Sequence, residues 1–471
     1  MRIRQLLKNF SYTIFSNFIT LGVSTILILI VPKLIGIKAY GYWQLYMFYT
    51  SYAGIFVFGW VDGIYLRFGG QQYDKLDKGL FHSQFLMILM SQLLVSFFIF
   101  IYSLFSSDSN MEFIFQMFAI CLILYNMRGL ILYILQDTNR IQEYALINSI
   151  GRIVYFCLAI IALLVGIKEY KLLIIVDLIG SAVALAFGVY SIRDIVFLKS
   201  NTFYWSFQEA WLNISVGIKL LIANFAGLLI IGVVRYGIQF FWGVSIFGKV
   251  SLTLSISNLL MTFISAISLV LYPMLRRISQ EKATNLYLDI REILMIVLFF
   301  GLFLYYPIDY LLPIWLPKYQ DSLVYMALLF PMCIYQGKFE LLVNTFLKTF
   351  RYEKALLNIN LISLLFSVVV TAINVFFIHN LTILMFSIIL ILWFQSSLGE
   401  FYLTRQLHIA IFGDIVLETV IVIVFMLSGW FLEFPQSIIL YSIALGGYLW
   451  IKRKKISNGI NYVKLNVGKR A

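Results

Sequence analysis

Residues Val31 to Gly70 read VPKLIGIKAYGYWQLYMFYTSYAGIFVFGWVDGIYLRFGG, and this stretch decides the architecture. An apolar run ends at Pro32, a short turn holds Gly36 and Gly41, and a second apolar run continues to Val61 before Asp62 and Arg67 appear. Each run is near the roughly 20 residues a helix needs to cross a bilayer. The stretch therefore reads as two spans joined by a tight glycine turn. It also recurs: Gly36, Tyr40 and Gly41 match Gly243, Phe247 and Gly248, 207 positions later. At the same offset Tyr65, just before Arg67, matches Tyr272, just before Arg276 and Arg277. Two matches at one offset, with six apolar runs between the copies, indicate a duplicated unit.

Working outward, the 471 residues are 62% hydrophobic and 12% charged. A soluble domain carries about a quarter charged residues, so the expected fold class is an all-α polytopic membrane protein. Fourteen spans are expected near 10–31, 42–61, 81–105, 113–135, 144–166, 172–192, 217–235, 249–272, 292–312, 323–347, 356–378, 381–403, 411–432 and 436–451. The N-terminal run is too long for a signal peptide and lacks a cleavage site, so it reads as an uncleaved first span. The repeat groups the spans into an N-terminal lobe (1–200, spans 1–6), a C-terminal lobe (201–410, spans 7–12) and a trailing pair with a basic tail (411–471), the two six-helix lobes being pseudo-symmetric about a central cavity.

The formal charge of +13 does not point to nucleic acid, because the cations punctuate apolar runs instead of clustering on polar segments. Of the 35 Lys and Arg, seven (Lys33, Lys38, Lys168, Lys171, Arg235, Lys249, Lys318) fall on one side, and Arg128, Arg152, Lys219 and Lys338 fall inside spans. The remainder lie on the side of the N-terminus. The positive-inside rule then puts both termini in the cytoplasm. The tail from Lys452 to Lys455 reads as a stop signal attracting anionic headgroups.

No chemical site emerges from the usual motifs. Cys121, Cys157 and Cys333 sit in apolar runs without ligand spacing and read as small buried core residues. His82, His379 and His408 stand at span ends on separate loops. Asp74 and Asp77 alternate with Lys75 and Lys78 as a solvated loop would. The segment from Gly243 to Lys249 imitates a phosphate-binding loop, but Val250 stands where that loop needs a hydroxyl for magnesium. No metal, cofactor or enzymatic activity is expected. The outer loops 106–112, 167–171 and 379–380 leave no room for an outer catalytic domain.

Charges inside spans carry the functional reading, since an arginine at mid-depth costs about 2.5–3.5 kcal/mol on insertion scales and usually faces a cavity or a partner. Arg128 and Arg152 each lie eight residues from the inner end of neighbouring expected spans, roughly 12 Å deep. Glu340 lies at equal depth in the tenth span, beside Lys338, and Asp177 sits nearer the outside in the sixth. These five are the expected cavity lining, with Glu340 expected to pair with the arginines across the lobes when the cavity is empty. Pro331 and Gly337 predict a kinked tenth span. Gly36, Gly41, Gly243, Gly248 and Pro331 are the expected hinge and turn positions, with Gly41 and Gly248 needing positive φ or close helix approach.

The PKLIGIKAYG turn, the exit from Asp62 and Gly63 to Arg67, and the second-half WGVSIFG and LYPMLRR segments resemble the polysaccharide or O-antigen (Wzx-like) flippase family. That group belongs to the superfamily that also holds multidrug extruders and the peptidoglycan lipid flippase. The resemblance implies translocation of an undecaprenyl-diphosphate-linked oligosaccharide across the bacterial inner membrane by alternating access. Its partners would be that lipid, bilayer lipids and other polysaccharide assembly proteins. Alternatives are a multidrug or small-solute exporter of the same fold, or a membrane polymerase or acyltransferase, which would want a large outer loop or a buried His or Asp pair.

Overall fold

The computed structural model describes the backbone of residues 3–275 and 280–467, and the side chains of these apart from 3–10, 13, 14, 200, 260, 262–285 and 454–467. Tyr272, Arg276 and Arg277 of the second repeat match lie outside the described side chains.

The chain is helical throughout its described length. The helices are α1 (Ile3–Leu34), α2 (Ile37–Thr50), α3 (Trp60–Phe68), α4 (Lys78–Ser103), α5 (Ser109–Asp137), α6 (Ile141–Leu164), α7 (Tyr170–Ser191), α8 (Phe207–Leu275), α9 (Gln280–Gly301), α10 (Tyr305–Trp315), α11 (Met332–Lys338), α12 (Glu353–Ile373), α13 (Leu381–Gln406), α14 (Phe412–Phe431) and α15 (Gln436–Val467). Among the described residues ten helices are long and apolar enough to cross a membrane. The expected spans fall on these helices, three of them on segmented stretches: 42–61 across α2 and α3, 292–312 across α9 and α10, and 323–347 around α11. Carboxylate and amide caps start several of them: Asp77 accepts from Leu80 N at 3.0 Å, Asp108 from Asn110 N at 2.9 Å and Asn380 from Ile383 N at 3.1 Å.

Two glycines at one repeat position break the chain between paired helices, by different means. Gly36 caps α2 with φ −70° and ψ 157°, ordinary extended backbone. Gly243, at φ 79° and ψ 175°, interrupts α8 so that 207–242 and 244–275 are separate helices. That conformation is essentially restricted to glycine. The positive φ expected at Gly41 or Gly248 is therefore found at Gly243 instead. Gly41 and Gly248 lie five residues into the helices that follow.

The second span is not continuous. After α2 comes a 3-10 turn, Ala53–Val57, then Phe58 and Gly59 in left-handed conformation at φ 52° and 78°, then α3. The tenth span is broken near Pro331, as expected, and carries a π segment, Phe339–Asn344. A π turn arises where a residue bulges out of the ladder, often beside a functional site.

By contacts the chain forms two compact units, Met1–Phe225 and Ala226–Ala471, the boundary falling within α8. In the first, Trp60, Ile64, Phe81, Phe85, Met127, Ile131 and Ile134 build an apolar core. Small polar side chains stitch helices together where lipid offers no competing partner. Ser16 donates to Ala145 O at 3.2 Å and Ser96 to Ala119 O at 2.7 Å; in the second unit Ser367 donates to Ile230 O at 2.6 Å. Cys121 and Cys333 are buried as expected, but Cys157 is exposed on the outer side of α6. One apolar run cannot reveal which of its faces meets lipid.

Candidate functional site

Four helices of the first unit converge on a cationic cluster. Arg128 lies nine residues before the end of α5, and Arg152 eleven residues into α6, roughly 13 and 16 Å along the helix axes. Arg128 is within electrostatic reach of Arg152, of Asp177 on α7 and of Cys121. Tyr46 on α2 donates its hydroxyl to Asp177 Oδ2 at 3.3 Å. Tyr155 lies close to both Asp177 and Arg152, and Trp43 beside it. The Arg128 guanidinium stands 5.9 Å from the centre of the Tyr125 ring, a cation–π distance.

The arginines themselves are half-buried, and among the described residues neither has an ion pair or hydrogen bond with the protein. Each guanidinium presents five donors in a rigid fork suited to carboxylate or phosphate. One carboxylate, Asp177, faces two such cations and is itself engaged by Tyr46. The cluster therefore carries an excess positive charge and a surplus of donors, which suits an anion bearing several oxygens.

Of the other expected site residues, Glu340 lies in the π segment of the second unit, where Asn344 donates to its Oε2 at 2.8 Å. Lys338 is buried with its ammonium taken: Glu400 Oε2 is 2.6 Å away and Glu418 Oε2 3.0 Å. It belongs to a lattice of charges linking five helices of that unit. Arg291 on α9 bonds Glu400 on α13 and reaches Glu418 on α14 at 2.7 Å and Asp414 at 3.8 Å. Lys452 on α15 contacts Glu292 on α9 at 2.7 Å and Asp414 at 2.9 Å. Tyr287 donates to Glu400 at 3.0 Å. Arg291 and Glu400 are completely buried.

Sequence reasoning missed most of this lattice. Arg291 and Glu292 were expected at the rim of the ninth span, but α9 begins at Gln280 and carries them inside. Lys452 was expected to face headgroups; it is 3% exposed and neutralised by two carboxylates. A usable signal existed in Glu400 and Glu418, two carboxylates in apolar runs that each require a counter-charge. Among the described residues no group of three His, Cys, Asp or Glu is placed to hold a metal ion.

No family model and no curated protein matches the sequence. Similar solved structures include an inward-facing multidrug resistance MATE family transporter of the MOP superfamily, with TM-score 0.60 at 13% identity over 81% of this chain and 95% of that one. They also include the lipid II flippase MurJ in an inward closed conformation, with TM-score 0.56 at 14% identity over 95% of this chain and 99% of that one. A MOP superfamily transporter from Pyrococcus furiosus, whose binding pocket is described as having reversed polarity, gives TM-score 0.54 at 13% identity over 84% and 94%. This chain thus has the all-α polytopic fold shared by MATE transporters and the MurJ flippase of the MOP superfamily.

Proposed function

We propose that the protein is a flippase that moves an undecaprenyl-diphosphate-linked oligosaccharide from the cytoplasmic to the outer leaflet of a bacterial inner membrane. One observation carries the reading: Arg128 and Arg152, half-buried near mid-span on neighbouring helices, have unused donors and a net positive surrounding. A diphosphate supplies the multiple anionic oxygens such forks bind, and charge-assisted pairs of this kind are strong and directional. The polyprenyl tail would stay in the bilayer while the headgroup passes, the two repeat-related halves reorienting by alternating access. Energy would come from an ion or proton gradient, or from consumption of the product outside.

The test measures membrane abundance and glycan export separately for Arg128→Ala and Arg152→Ala. Normal abundance with export reduced at least about tenfold is the expected outcome, a loss of roughly 1.4 kcal/mol or more of substrate interaction. Arg128→Lys and Arg152→Lys should fall between parent and alanine, since lysine keeps the charge and loses the fork. Intact export in both alanine variants would sink the reading.

The MATE likeness supports a second reading, a multidrug exporter. A site with excess positive charge repels cationic drugs, so expression in a drug-sensitive host should leave resistance to cationic compounds unchanged. A clear rise in resistance that depends on Asp177 would favour this second reading.

A further inference from the structure

Span 2 and the beginning of α8 meet in an antiparallel seam that runs from the rim of the first unit toward the arginine cluster. At its rim, Arg67 pairs with Glu209 in the first turn of α8 at 2.8 Å and donates to Asn213 Oδ1 at 2.6 Å. One turn further in, Gly63 lies so near Asn213 that a Cβ would overlap the Asn213 carbonyl. Next, a Cβ on Gly59 would stand 2.6 Å from Ile218 N, and one on Gly217 would overlap the Gly59 carbonyl. Deeper still, Gly54 faces the rings of Phe225 and Tyr125, and Tyr125 carries Arg128 on its face. The pairs 67–209, 63–213 and 59–217 step inward together four residues at a time, and 54–225 lies deeper still. This segment of α8 therefore lies along the route between the rim of the unit and Arg128.

The seam is closed by backbone and by polar side chains. Its closest approaches are backbone on backbone, allowed by glycine. Polar side chains tie both sides of it to α4: Asn213 of α8 donates to Gln84 Oε1 at 3.2 Å, Trp60 of α3 donates to the same oxygen at 2.6 Å, and Gln84 reaches Ser206. Of the apolar side chains of α8, Ala210 and Ile214 join the core beside the seam, and Phe225 meets Tyr52 at its deep end with ring centres 6.4 Å apart. Hydrogen bonds of this sort exchange readily for water, whereas interlocked apolar side chains do not.

We infer that this glycine seam, latched by Arg67 and Glu209, is a gate that parts to give the aqueous phase on its own side access to the arginine site. The inference rests on the reading of Arg128 and Arg152 as the substrate site, but its parting is measurable without any substrate. The Gly59–Gly63 backbone closes tightly on α8, and the Arg67–Glu209 ion pair at the rim holds it shut. On the orientation set by the loop charges, that side is the cytoplasm.

Two measurements on the full chain in lipid nanodiscs and inverted vesicles test it. Spin labels at Leu66→Cys and Leu212→Cys occupy exposed positions, 50% and 40% exposed, on the two sides of the seam, in a chain otherwise free of cysteine. A two-population distance distribution is expected, and Arg67→Gln with Glu209→Gln should enlarge the longer population several-fold. A single short distance in both would overturn the gate. Separately, a Tyr125→Cys reporter should react with a membrane-impermeant thiol reagent from the cytoplasmic side at least about fivefold faster when the latch pair is neutralised. The swap Arg67→Glu with Glu209→Arg should return the parent rate. An unchanged labelling rate in the neutralised pair, or a swap that labels as fast as that pair, would overturn the latch. Export that survives Arg128→Ala and Arg152→Ala would remove the substrate assignment and leave these results standing.

Discussion

Lys338 and the arginines at 128 and 152 share a residue class and a setting inside apolar helices, yet their surroundings ask different things of them. Lys338 is paired with Glu400 and Glu418, and Arg291 with the same two carboxylates. Removing one member of such a buried set strands the others in low dielectric, which typically costs about 3–5 kcal/mol. Lys338→Met and Glu400→Gln should therefore lower membrane abundance and thermal midpoint sharply. Arg128→Ala removes one of the two cations beside Asp177 and leaves Arg152 there, so the midpoint should move far less. Fluorescence-detected thermal denaturation in detergent checks both. A Lys338→Met protein as stable as the parent would show that the lattice contributes nothing. Arg128 and Arg152 were legible in the sequence because each interrupts an apolar run. Arg291 and Lys452 were not, because each sits beside other charges at the end of an apolar run and looks like loop. Only the long reach of α9 and α15 puts them indoors.

The repeat of glycines shows how an element can keep its place in a fold while its local conformation drifts. Gly36 and Gly243 both separate a pair of helices, but only Gly243 has a backbone that a side chain resists. An added Cβ meets nothing within 4 Å at either position. The difference between Gly36→Ala and Gly243→Ala thus isolates backbone strain: near zero for the first, and about 1–3 kcal/mol for the second. Thermal midpoints of the two variants measure it, and equal shifts would refute the assignment. The same distinction limits what a sequence discloses. The motif marked where the helices break, but nothing in the apolar run from 42 to 61 announced the left-handed Phe58 and Gly59, because their role depends on α8, about 150 residues away.

For the molecule as a whole, the asymmetry of loop charge makes a topological prediction. Reporter fusions at Lys75, Asn201 and Lys454 should report cytoplasm, and fusions at Ser107, Glu169 and Asn380 the outside. Opposite reports from Asn201 and Lys454 would make the number of crossings between them odd and undo the fourteen-span count. Fold class was the most legible feature of the sequence, since apolar length and loop spacing suffice to set it. The charge clusters were legible only in part, because a charge in a span announces a need for a partner without naming it.

The charge lattice of the second unit also bears on how the chain is made. Glu292, Glu400, Asp414 and Glu418 leave the ribosome before the helix that brings Lys452, which contacts both Glu292 and Asp414. Until α15 threads into the bilayer, Glu292 and Asp414 have only the more distant Arg291, at 4.0 and 3.8 Å. A chain ended before Lys452 keeps nearly all the hydrophobic surface but leaves Glu292 and Asp414 without their near cation. Pulse-chase labelling should show rapid turnover of a chain stopped after Tyr448, intermediate turnover of Lys452→Met, and a long-lived parent.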